Sequence, residues 1–142
     1  MFVYQIPKDF EGPFYIIFNV NSDSSIRYSE LQSIKLLDIH KRYTYVAESY
    51  LENDIEKPLL IVDAKTNKDL RINDSGDLSR LFKLKLDTLS VNGKNFPMVS
   101  AFVTKEYLSY DSVYQINYSD SQKMIDIAAI KQSIFKLNKQ YP

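Results

Sequence analysis

His40 is the only imidazole in the chain, and it stands within Asp38-Ile39-His40-Lys41-Arg42. An imidazole can act as a general base near neutral pH. One placed among charges with no partner motif reads instead as a solvated edge residue. The chain has no cysteine. Disulfides, thiolate zinc sites, iron–sulfur clusters and cysteine nucleophiles therefore have no residues to form them. Glu48, Glu52, Asp54 and Glu56 lie close together. Paired carboxylates can move protons, but this spacing fits a charged turn and a solvated face. Asp74-Ser75-Gly76-Asp77 offers oxygen ligands without the alternating spacing of a calcium loop, and reads as a turn. Gly12, Gly76 and Gly93 stand too far apart to form a phosphate-cradling loop.

The compositional excess is tyrosine: 11 Tyr and 8 Phe, with no Trp. Tyrosine offers an aromatic face and a hydroxyl, a combination that stacks on sugars or anchors a protein partner. Tyr43 and Tyr45 share one strand face, and Tyr107 and Tyr110 flank a loop, so these four are the candidate binding residues. The reading preferred over binding is a tyrosine-rich rim of the core with its hydroxyls in water. No catalytic residue, metal ligand or cofactor is assigned, and the expected partner is a protein or a cell-surface component.

These residues must be carried by strands. Phe14 to Val20 is apolar on both faces, the pattern of a central strand. Residues 29–39 fit helical and alternating spacing alike, with strand preferred. Arg42 to Leu51 alternates, Leu59 to Ala64 is a short buried-strand run after Pro58, and Asp69 to Asn73 is its hairpin return. In Leu81 to Val91 the apolar positions Phe82, Leu84 and Leu86 give way to Leu89 and Val91. That one-residue slip predicts a β-bulge near Asp87 to Leu89. Asn92-Gly93 predicts a tight hairpin, and Phe96 to Val103 returns, with Pro97 at an edge or irregularity. Val113 to Tyr118 predicts a further strand.

Ser119-Asp120-Ser121-Gln122 has the form of a capping box. Met124, Ile127, Ile130, Ile134 and Leu137 then recur at helical spacing to about Asn138. The helix bears Lys123, Lys131, Lys136 and Lys139 against Asp126. Such a set can touch an anionic membrane surface, or leave its lysines in water while the apolar stripe packs on a sheet; the second reading is preferred. The expected fold is a β-rich α+β domain: an antiparallel β-sandwich or partly closed sheet with one C-terminal amphipathic helix.

The 142 residues form one expected domain, residues 1–142, with no linker or repeat. Hydrophobic content of 44% with 25% charged residues fits a folded globule. Eighteen basic and 18 acidic residues give a net charge of 0, against the basic excess of a nucleic-acid binder. No apolar run reaches the roughly 20 residues of a membrane-spanning helix. The first residues lack a basic region followed by a long apolar stretch. A chain that starts natively at Met1 is expected in the cytoplasm, and a processed one in the cell envelope.

Residues 6–19 carry a resemblance. Ile6-Pro7-Lys8-Asp9-Phe10-Glu11-Gly12, followed by Phe14-Tyr15-Ile16-Ile17-Phe18-Asn19, resembles the opening of a group of uncharacterised bacterial lipoprotein-like β-sandwich domains. There an Ile-Pro, two intervening residues, an aromatic, one further residue and a Gly lead into a first strand. Proline fixes an extended approach and glycine permits a bend. The resemblance implies a small exported β-sandwich tethered to the envelope, with no catalytic residues. The leading expectation is thus a non-enzymatic binding or structural domain of a bacterial envelope. The alternative is an intracellular protein-binding module, such as an inhibitor, an immunity-type protein or a complex subunit. An enzyme working through carboxylates or tyrosines ranks third, and would require a pocket where such groups converge.

Overall fold

A computed structural model of the chain describes residues 2–6, 10–20, 27–29, 34–38, 41–46, 60–63, 78–109, 116 and 118–140. The elements are β1 (Phe2–Ile6), β2 (Gly12–Ile17), β3 (Arg27–Ser29), β4 (Ile34–Asp38), β5 (Tyr43–Tyr45), β6 (Leu60–Asp63), β7 (Leu78–Val91), β8 (Lys94–Ser109) and α1 (Asp120–Gln140). His40, Glu48, Glu52, Asp54, Glu56, the Asp74–Asp77 turn, the Asp69–Asn73 return and Tyr110 lie outside the described residues.

Asn92 and Gly93 join β7 to β8 by a two-residue turn, with Val91 opposite Lys94. Their φ values of 50° and 77° are those the turn demands of both central residues. β8 also pairs antiparallel with β2, and β2 pairs parallel with β5, giving the order β5-β2-β8-β7. Pro97, which has no N–H, falls one residue beyond the last β2 partner pair, Ile17 and Met98. A second sheet has the order β3-β4-β1-β6, in which β1 runs parallel to both neighbours. The chain is therefore strand-rich with one C-terminal helix, as expected. Its sheets are mixed rather than purely antiparallel, because β1 has two parallel neighbours and β2 has one. β1 was not foreseen: five residues before Pro7 are too short to show a period.

The β2 sheet is apolar on both faces, as the Phe14 to Val20 pattern implied. Phe14, Ile16, Val99, Ala101, Val103 and Leu81 form a buried cluster on one face, joined by Ile6. Tyr15, Ile17, Leu89, Val91, Phe96 and Met98 form the other, which Ile130 and Ile134 of α1 cover. Phe18 belongs to the first cluster and Val20 to the second. Asn19 lies between them with φ 62°, and this left-handed residue breaks the alternation that would put Phe18 and Val20 on one side.

The bulge is present but displaced. On β7, Phe82 opposes Phe102 and Lys85 opposes Ser100, so β7 holds one extra residue there. Lys83, at φ 56°, absorbs it. A second irregularity lies between Ser79 and Leu81. From Lys85 to Val91 the register is unbroken. The apparent slip at Asp87 to Leu89 is a change of buried face: Leu86 packs on the first cluster, and Leu89 and Val91 on the second.

Residues 116 and 118 are not in a strand, contrary to the Val113 to Tyr118 expectation. The Tyr118 N–H donates to the Ile116 carbonyl at 2.9 Å, a γ-turn that swings the chain into α1. The capping box then forms: the Ser119 N–H donates to Gln122 Oε1 at 2.8 Å, and the Gln122 N–H to Ser119 Oγ at 3.2 Å.

Phe14 is fully buried in the first cluster, with Phe10 edge-on at 6.4 Å. Phe14→Ala is expected to cost about 3–5 kcal/mol, read as a lower urea midpoint at unchanged slope.

Candidate functional site

Asp126 projects from the second turn of α1 onto the β2 sheet and is 3% exposed. An isolated carboxylate there would be expensive. Arg42, just ahead of β5, meets it with two parallel donors: Nε to Oδ1 at 2.9 Å and Nη2 to Oδ2 at 2.8 Å. The Tyr43 hydroxyl donates to Oδ1 and the Tyr118 hydroxyl to Oδ2. Those four donors fill the four lone-pair positions of a carboxylate. Tyr15 is the surplus donor. Its hydroxyl lies 3.3 Å from Oδ2 and is also in hydrogen-bond contact with the Tyr118 hydroxyl.

Strand register explains the convergence. Tyr15 on β2 sits opposite Tyr43 on β5, with ring centroids 5.9 Å apart. The Tyr15 N–H donates to the Arg42 carbonyl at 2.7 Å, so one strand pairing brings three of the donors to one place. α1 supplies the carboxylate, and the γ-turn before it supplies Tyr118. Half of the Arg42 side chain remains in water, against 4% of Asp126.

Burial alone pushes the Asp126 carboxyl up, but hydrogen bonds from Arg42, Tyr118 and Tyr43 outweigh it, and the net shift is downward. Burial, with the Asp126 charge adding to it, raises Tyr15 and Tyr43 from 10.0 to about 12. Tyr118 is raised for the same reasons. At neutral pH the cluster thus holds a carboxylate, a guanidinium and neutral phenols. Asp126 is saturated by its own chain and is committed to structure.

Tyr43 is thus part of an interior network. Tyr45 packs beside it on the second cluster, and burial raises its pKa. Tyr107 is half-buried near the end of β8. Of the four candidate tyrosines, Tyr43, Tyr45 and Tyr107 are among the described residues, and Tyr110 lies outside them. Sequence reasoning left Asp126 among the charges of the helix and placed Met124 in its packed stripe. The structure reverses them: Met124 is 71% exposed and Asp126 is inside. The signal was available, since Asp126 stands four residues before Ile130 and eight before Ile134, on the same helix face.

α1 begins short of the sheet end, and this leaves a cleft of about 190 Å³. Tyr15, Ser100 and Phe102 form its floor. Lys83 lines one side and Tyr118, Ser119, Asp120 and Lys123 the other. Tyr118 joins cleft to network: its ring leans on Phe102 at 5.8 Å, and its carbonyl accepts from Lys83 Nζ at 3.1 Å. The bulge aims Lys83 here. The Lys123 ammonium also lies 3.9 Å from Asp87. Two ammonium groups, a carboxylate and aromatic faces suit the binding of a small polar group. Among the described residues, no three His, Asp or Glu converge to hold a metal ion.

No family model and no curated sequence matches the chain. By structure it is similar to the "Putative Lipoprotein from Bacillus anthracis", with TM-score 0.59 over 93% of this chain and 94% of that one. The two are 15% identical, so the likeness is one of fold. It agrees loosely with the lipoprotein-like resemblance of residues 6–19. No helix among the described residues is long and apolar enough to cross a membrane.

Asp126→Ala leaves three phenols and a guanidinium without their acceptor. It is expected to destabilise the fold by about 3 kcal/mol in urea unfolding, whereas Met124→Ala on the outer face of the same helix changes it by less than about 0.5 kcal/mol.

The pH dependence follows from the same groups. Folding favours ionised Asp126, so its contribution is complete above the ordinary carboxylate value of 3.8 and is lost as pH falls below it. Folding favours neutral Tyr15 and Tyr43, so their contribution is complete below 10.0 and is lost as pH rises toward about 12. Melting temperature against pH should fall in both windows, and Asp126→Asn should flatten the acid limb.

Proposed function

We propose that this chain is a non-enzymatic binding or structural domain of a bacterial cell envelope. The observation that carries this reading is the likeness of fold, over 93% of the chain, to the Bacillus anthracis protein. In the same reading the domain is a β-sandwich, its sheets meeting where Ile6 of β1 joins the cluster on β2 and β8. The non-catalytic part rests on Asp126, whose lone pairs are filled and whose ionised form is favoured. A carboxylate so occupied is a weaker base than a free one. Binding is assigned to the cleft at the start of α1, where Lys83, Lys123 and the Tyr118 ring reach solvent-accessible space. The partner is a protein or a cell-surface component.

The test is fractionation of the source cells, with intact mass measurement of the recovered protein. Recovery in the envelope fraction with a processed or lipidated N-terminus is the expected outcome. Recovery in the cytoplasmic fraction with an unmodified Met1 overturns the reading, and a stable intracellular partner would then take its place.

A further inference from the structure

α1 is apolar on two sides. Ile127, Ile130, Ile134 and Leu137 face the sheet. Met124 and Ile125, 71% and 68% exposed, face away from it, and Phe135 is 42% exposed on that outer side. At 100° per residue, Met124, Ala128 and Phe135 form one outer line, and Ala128 is exposed as well. Lys131 and Lys136, both exposed, flank that line. α1 has two acidic residues: Asp120, exposed at its first position, and Asp126, which is turned inward and neutralised by Arg42. The outer face therefore carries an apolar patch of Met124, Ile125, Ala128 and Phe135, interrupted by the exposed Gln132 and flanked by lysines, on a chain whose net charge is 0.

We infer that the outer face of α1 lies on an anionic lipid surface, with Met124, Ile125 and Phe135 entering the headgroup boundary and Lys131 and Lys136 pairing with lipid phosphates. This deepens the envelope reading and rests on it. The choice of occupant follows from charge. A second copy of this helix would bring lysines against lysines, and like charges across an interface are repulsive. An anionic membrane meets both features at once: the methionine, isoleucine and phenylalanine supply burial, and each lysine supplies attraction to the surface. Long lysine side chains can place their stems on the apolar line while their ammonium groups reach the phosphates. The low overall amphipathicity of α1 has the same origin, since apolar residues are divided between a sheet-facing and an outward-facing side.

The experiment is co-sedimentation of the purified chain with vesicles of phosphatidylglycerol and phosphatidylcholine in equal parts, and with phosphatidylcholine alone. Binding to the mixed vesicles, weak or absent binding to the neutral ones, and weakening by added salt are expected. Lys131→Gln with Lys136→Gln should weaken binding roughly 30-fold, and Met124→Ser with Ile125→Ser should weaken it comparably. All four positions are exposed, so the variants should melt with the parent chain. The chain has no tryptophan, so Ile125→Trp gives a single reporter whose emission should shift to the blue on mixed vesicles only. Failure to bind mixed vesicles overturns the inference, as does binding that neither double variant weakens. A dimer in analytical ultracentrifugation that Met124→Ser with Ile125→Ser dissociates also overturns it, and gives the face to a second copy. The two readings fail separately. A chain found in the envelope that ignores the vesicles refutes the lipid contact alone, whereas a cytoplasmic chain removes the envelope reading itself.

Discussion

Asp126 remains ionised in a layer that is otherwise tyrosine, isoleucine and leucine. That condition can hold only while Arg42 and the phenols stay in place, and they come from β2, the approach to β5, and the turn before α1. The helix cannot slide or rotate on the sheet without stripping the carboxylate of acceptor bonds in a medium where water cannot replace them. Apolar contacts between α1 and the sheet are plentiful but permissive, since one isoleucine position resembles the next. The Arg42–Asp126 pair has a fixed planar geometry and selects a single docking. Half of Arg42 stays in water, so its desolvation is modest, and the burden of burial falls on the carboxylate alone.

This arrangement divides the helix side of the sheet into two zones. Over Phe96 and Met98 the helix covers the sheet and the contact is dry. Over Ser100 and Phe102 a cleft opens, lined on the helix side by Asp120 and Lys123 of its first turn. Tyr118 belongs to both, its hydroxyl in the network and its ring at the cleft wall. A molecule that moves the Tyr118 ring would therefore act on the carboxylate that anchors the helix. That connection is contiguous, through one side chain, and does not require a path across the fold.

Much of the fold was legible. The Asn92-Gly93 hairpin, the doubly apolar β2 run, the strand at 60–63 and the Ser119–Gln122 cap all follow local rules, and local rules can be read from a sequence; residues 29–39 fitted helix and strand alike, and 34–38 form a strand. What escaped depended on which face a residue meets. The Leu86-to-Leu89 change looked like a bulge because alternation was judged against one core, when β7 packs on two. Met124 and Asp126 were exchanged because a carboxylate among isoleucines was assumed to face water. Only the partners, Arg42 more than eighty residues away among them, make its burial tolerable, and no local pattern names them. Tyrosine excess pointed to a rim of the core, and the structure places Tyr43 and Tyr45 half-buried against the helix-side core.

The extra residue at Lys83 bears on the solubility of the chain. Among the described residues β7 is the outer strand of its sheet, and at 14 residues it is long enough to offer an open ladder to any other extended chain. A flat ladder of that length is a template for edge-to-edge aggregation. Lys83 interrupts it with a left-handed residue, and Lys83 and Lys85, both exposed, put charge at the interruption. A docking strand would have to match a kinked backbone and bury ammonium groups. The same distortion that carries a cation to the cleft thus guards the edge of the sheet.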